Sequence, residues 1–155
     1  MNRLTSCLLC ACIATASPAQ STMCVSQPPW LKVHGDARAA YCSISRDGRF
    51  VSFISESRSL TPGDTNDDGD VFVFDRQSGQ YERVSFLENG EQVSWVRGTA
   101  LSDDGRHVAY YGVGDTLPGG VFVRDRLTGQ SHFACRKPDG TPAPETSFII
   151  GRLAI

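Results

Sequence analysis

The sequence predicts an all-β chain: two four-stranded antiparallel units set side by side as the blades of an incomplete propeller. Three observations carry that reading. First, a nine-residue pattern is written twice. Ser45-Arg46-Asp47-Gly48-Arg49-Phe50-Val51-Ser52-Phe53 matches Ser102-Asp103-Asp104-Gly105-Arg106-His107-Val108-Ala109-Tyr110 at an offset of 57. A second block, Val71 to Gln80, matches Val121 to Gln130 at an offset of 50. Internal repetition at this period is the mark of propellers and other β-arrays. Second, Asp47-Gly48 and Asp104-Gly105 sit between short runs of β-branched and aromatic residues, which is a hairpin signal. Third, Val71-Phe72-Val73-Phe74 is apolar at four consecutive positions, so both faces of that strand need cover. A blade between two neighbours supplies such cover, whereas a plain two-sheet sandwich leaves one face wet.

Composition agrees and narrows the function classes. At 155 residues, 40% hydrophobic and 21% charged, the chain is a core-forming one and neither collagenous nor disordered. With 15 basic and 17 acidic side chains its net charge is -2, which gives no electrostatic case for nucleic-acid binding.

The chain opens with Met1-Asn2-Arg3 and a charge-free stretch from Leu4 to Ala16. That stretch is too short for a transmembrane helix of roughly 20 residues. Small residues at Ser17-Pro18-Ala19 read as a cleavage site, so residues 1–19 are expected to be an export signal and the protein secreted or periplasmic. Export would remove Cys7, Cys10 and Cys12, leaving Cys24, Cys42 and Cys135. At most one disulfide can then form within the chain, with Cys24 and Cys42 the nearer pair. Residues 20–38 form an N-terminal segment, in which Met23-Cys24-Val25-Ser26 resembles a fourth strand available to close a ring.

The first unit spans 39–96, with strands expected near 41–45, 49–55, 70–75 and 80–86. The second spans 97–150, with strands near 99–102, 106–112, 120–125 and 130–135. Residues 151–155 read as the opening strand of a third, truncated repeat. The repeated hairpin, followed by Val-Phe-Val-x-Asp-Arg-x-x-Gly, resembles the WD-repeat-like β-propeller repeat of TolB-like proteins. It is also similar to the propeller domains of tricorn and prolyl-oligopeptidase-type peptidases. The resemblance covers roughly residues 39 to 150 and implies fold rather than function. Rings of that family close with about six or more blades; two are written here, which suggests the amino-terminal part of a longer propeller. The alternative is a self-sufficient two-unit domain that self-associates, and self-association is expected of the isolated chain in either case.

One loop carries candidate chemistry. The seven-residue excess of the first unit falls at Asp64-Thr65-Asn66-Asp67-Asp68-Gly69-Asp70. Its Asp-x-Asn-x-Asp-Gly spacing is that of a calcium loop, in which oxygens at alternate positions converge on the ion. Asp64, Asn66, Asp68 and Asp70 are the expected ligands of one Ca²⁺, completed by carbonyls or water. Asp75 stands at the twelfth position, but a strand over 71–74 carries it some 16 Å away at ~3.3 Å per residue. The other reading is a solvated acidic turn. The second unit lacks this loop, so no second equivalent site is expected.

No catalytic residues are assigned. His34, His107 and His132 are scattered, and no Gly-x-Ser-x-Gly elbow is present. His107 occupies the slot of Phe50 and reads as strand packing. Trp30 and Trp95 read as aromatics buried between blades rather than as ligand-stacking rings. Two function classes follow: a non-enzymatic scaffold for a protein or glycan, calcium-stabilised where the loop binds, or the propeller part of an exported peptidase whose catalytic domain lies elsewhere.

Overall fold

The computed structural model describes residues 39–114 and 119–143. The expected signal, the segment 20–38 with Cys24, Trp30 and His34, and the stump 151–155 lie outside the described residues. Among the described residues eight strands and no helix are formed: β1 Ala39–Ile44, β2 Phe50–Ser55, β3 Asp70–Asp75, β4 Gln80–Arg83, β5 Ser94–Leu101, β6 His107–Val113, β7 Gly120–Asp125 and β8 Gln130–Phe133. They make two four-stranded antiparallel meanders, β1-β2-β3-β4 and β5-β6-β7-β8. Among the described residues no helix is long and apolar enough to cross a membrane.

The repeated motif explains the repeated hairpin. Gly48 and Gly105 both take φ of 72°, open to glycine and strained for other residues. The Ser45 hydroxyl donates to Asp47 Oδ1 at 2.6 Å and accepts the Phe50 N–H at 2.9 Å, while Asp47 Oδ1 also accepts the Arg49 N–H. Ser102, Asp104, Arg106 and His107 repeat those bonds at 2.6–2.9 Å. Arg49 then forks onto Asp75 at 3.0 and 2.8 Å, and Arg106 onto Asp125 at 3.0 and 2.6 Å. Arg76 and Arg126 reach the turn carbonyls of Gly48 and Gly105. Two aspartates and two arginines in each unit therefore fasten β2 to β3, and β6 to β7, at one end of each sheet.

The sheets stack face to back, with β5 crossing β1, β2 and β3. In the first sheet Ile54, Val71 and Val73 point at the second, where they meet Leu101, Val108, Tyr110, Phe122 and Phe133 in one core. Its other face carries Phe53, Phe72 and Phe74, covered by Leu60 and Tyr81. Val71 to Phe74 are thus buried on both faces, between 0 and 2% exposed. Polar bonds cross the seam as well. The Tyr110 hydroxyl donates to the Phe86 carbonyl at 2.6 Å and accepts its N–H at 3.1 Å, and Glu88 takes the Phe133 N–H and pairs with Arg136. Burial pushes that tyrosine's pKa up to about 12.

β5 departs from expectation. It begins at Ser94 rather than near 99, so the division at residue 96 falls inside a strand, and its pairing slips twice against β6. At one slip Trp95 adopts φ of 55° and stands 59% exposed. The expected burial of Trp95 between blades is corrected: bulges re-aim side chains, and this one turns the indole outward.

Candidate functional site

The acidic loop, 56–69, joins β2 to β3 at the end of the sheet opposite the charged hairpins. It is anchored from within. Arg83 Nη1 lies 3.1 Å from Asp70 and 3.4 Å from Asp64, and its Nη2 donates to the Pro62 carbonyl at 3.1 Å. Ser85 donates to Asp70 at 2.5 Å. All three charged side chains are buried, at 6% exposure for Arg83, 7% for Asp64 and 1% for Asp70. Burial pushes the Asp70 carboxyl above its ordinary range, while the bonds from Ser85 and Arg83 pull it back. Asn66 donates to the Val93 carbonyl at 3.3 Å, and Gln92 to the Gly63 carbonyl at 2.8 Å, which ties the loop to the start of β5.

The four expected calcium ligands are therefore divided between two places. Asp64 and Asp70 converge on Arg83, whose guanidinium balances their charge. Asp68 sits away from them, on a cleft with Glu56 and Asp67. Asn66 Oδ1 is a buried acceptor without a partner among the described residues. No group of three or more His, Cys, Asp or Glu side chains is placed to hold a metal among the described residues. Sequence spacing missed this arrangement because Arg83 lies 13 residues beyond Asp70 and nothing local announces the pair.

The cleft itself has a volume of about 300 Å³ and opens between the first residues of β1 and of β5. Tyr41 and Trp95 stand on its rim, and Ile54, Gly69 and Val96 line it. A second hollow of about 380 Å³, lined by Asn66, Leu87, Gln92 and Ser94 among others, lies on the other side of the loop. Elsewhere the candidate groups are spent on structure. Asp104 is committed to its turn, Asp103 pairs with Arg46 at 3.6 Å, and His107 is a half-buried residue at the start of β6. Cys42 and Cys135 are free thiols; Cys24, the expected partner of Cys42, lies outside the described residues.

No protein-family model matches the chain, and no curated protein matches it in sequence. Among solved structures it is similar to the crystal structure of TolB from Acinetobacter baumannii, at 21% identity and a TM-score of 0.43. The match covers 63% of this chain and 21% of that one, so the chain spans about a fifth of the length of the structure it matches.

Proposed function

We propose that the chain supplies two consecutive blades of an exported β-propeller that binds a protein or glycan partner and performs no chemistry itself. The observation that supports this most is the outward face of the second sheet. By the repeat offsets and the strand registers, Val121 and Val123 stand where Val71 and Val73 stand in the first sheet. Val71 and Val73 are the residues on which the second sheet is seated. Val121 and Val123 are half-buried with no third sheet over them among the described residues. A face that repeats a seating face is built to receive another sheet, as in a stack whose repeats contact only their neighbours.

The scaffold reading rests on how the charged residues are used. The recurrent Asp and Arg side chains are consumed in fastening hairpins, which leaves the loops at the other end for recognition. The acidic loop serves as a cap in this reading. Its Leu60 covers the aromatic face of the first sheet, and Arg83 supplies the charge balance that the loop spacing assigned to calcium.

Sedimentation velocity tests the stacking. The chain is expected to self-associate through the open face, and a Val121→Glu/Val123→Lys variant to sediment as a smaller species with an unchanged strand spectrum. A wild-type monomer with a cooperative melt would overturn the open-stack reading. Hydrolysis of a fluorogenic prolyl peptide by the purified chain would overturn the non-enzymatic one.

A further inference from the structure

The cleft between β1 and β5 joins two features that packing alone does not require. Tyr41 and Trp95 are each 59% exposed, and each holds a positive φ, 52° and 55°. Bulky residues rarely adopt that backbone, and strain of this kind persists where surroundings impose it. The repeat shows what the fold asks for on its own. Offset by 57, the counterpart of Tyr41 is Gly98, at φ of 64° within an equivalent register slip. Glycine meets that geometry freely, so a tyrosine there spends backbone energy to place a phenol ring on the rim.

The second feature is charge. Glu56, Asp67 and Asp68 line the same cleft. Asp67 pairs with Arg58. Among the described residues neither Glu56 nor Asp68 has a hydrogen-bond or ion-pair partner. Trp95 already holds one cation, since the Arg97 guanidinium lies 4.2 Å from the centre of its ring. Negative ring faces and unpaired carboxylates favour the same guest, a cation carried on an apolar stem. A guanidinium suits both, because it stacks flat on a ring and forks onto a carboxylate.

We infer that this cleft receives an arginine side chain of a partner polypeptide, seated between Tyr41 and Trp95 and held by Glu56 and Asp68. This rests on the scaffold reading and names the chemistry of its partner. The volume of about 300 Å³ admits one long side chain rather than a folded surface.

The test titrates the 155-residue chain with the peptide acetyl-Gly-Arg-Gly-Arg-Gly-amide, read by calorimetry and by tryptophan fluorescence. A second peptide carries citrulline, which keeps the shape and removes the charge. Saturable binding is expected for the arginine peptide, at least tenfold weaker for citrulline and weaker with added salt. Trp95→Gly removes the ring while suiting its backbone, and Glu56→Gln/Asp68→Asn removes the charge. Each is expected to weaken binding about tenfold or more with a melt no lower than that of the wild type. Equal binding of the citrulline peptide, absence of saturable binding, or saturable binding of chitotetraose in place of the peptide would overturn the inference. Each would leave the stacking of the sheets intact. Cleavage of the peptide, seen by mass spectrometry, would instead break the scaffold reading.

Discussion

The two sheets share their hairpin bond for bond, yet they part company at three positions on one face. Asp70, Arg83 and Ser85 of the first sheet stand where the second has Gly120, Phe133 and Cys135, at the constant offset of 50. The backbone is the same in both places. The Val71 N–H donates to Ser85 Oγ at 3.1 Å, and the Val121 N–H to Cys135 Sγ at 3.3 Å. The neighbours differ. That face of the second sheet is pressed against the first, and Phe133 fills the space so closely that a Cβ on Gly120 would lie 2.4 Å from its ring. In the first sheet the same face meets a loop of its own, and a buried ion pair ties that loop down. The contrast teaches that position within a stack, more than the blade motif, decides whether a site is apolar or ionic.

The largest effect expected separates covered from open faces. Phe72→Ala removes a side chain 1% exposed in the doubly covered strand and should cost about 3–5 kcal/mol in a urea melt. Val123→Ala, on the half-buried face, should cost about 1 kcal/mol or less at dilutions where the chain is monomeric. Equal costs would mean that the open face is no longer open in solution.

Arg83→Met comes next. It strands Asp64 and Asp70 without their counter-charge, and breaking a buried pair from one side costs about 3 kcal/mol or more. Transplanting the set of the second sheet, Asp70→Gly/Arg83→Phe/Ser85→Cys, should recover part of that loss, because the ring replaces the ions. If the triple variant is no more stable than Arg83→Met, the loop depends on the ion pair itself.

Acid sensitivity is smaller and common to both sheets. The guanidinium of Arg49 holds the Asp75 carboxyl far below the usual carboxylate range, and Arg106 does the same for Asp125. Unfolded aspartate titrates near 3.9. The stability these pairs give is therefore whole above that value and is lost as pH falls below it toward the folded pKa values. The melting temperature should fall steeply below about pH 4 in the wild type and less steeply in Asp75→Asn/Asp125→Asn. Parallel curves would show that other carboxylates govern the acid limb.

The smallest effect expected is that of calcium. Because Arg83 already balances Asp64 and Asp70, titration of the wild type with calcium should give the same heats as titration of Asp64→Ala/Asp68→Ala. A saturable heat lost in the variant would return the loop to the ion.

Much of this architecture was legible beforehand. Strands β2, β3, β6 and β7 fall within a residue or so of where the motif placed them, because Asp-Gly turns and short runs of β-branched and aromatic residues act locally. The double burial of Val71 to Phe74 was legible too, since a strand apolar on both sides has only one stable surrounding. Trp95 and Arg83 were not. A bulge that turns an indole outward depends on pairing with a strand more than ten residues away, and the Arg83 pair on a fold in the chain that brings β4 under its own loop.

Sequence alone determined the central strands of each sheet, the turns and the repeat, because each follows from bonding between near neighbours along the chain. Only the tertiary structure decided which face of each sheet is covered, which charges are buried together and which aromatics remain outside. Those outcomes depend on what lies across a seam, and one-dimensional order carries no signal for a contact until the sheets are stacked.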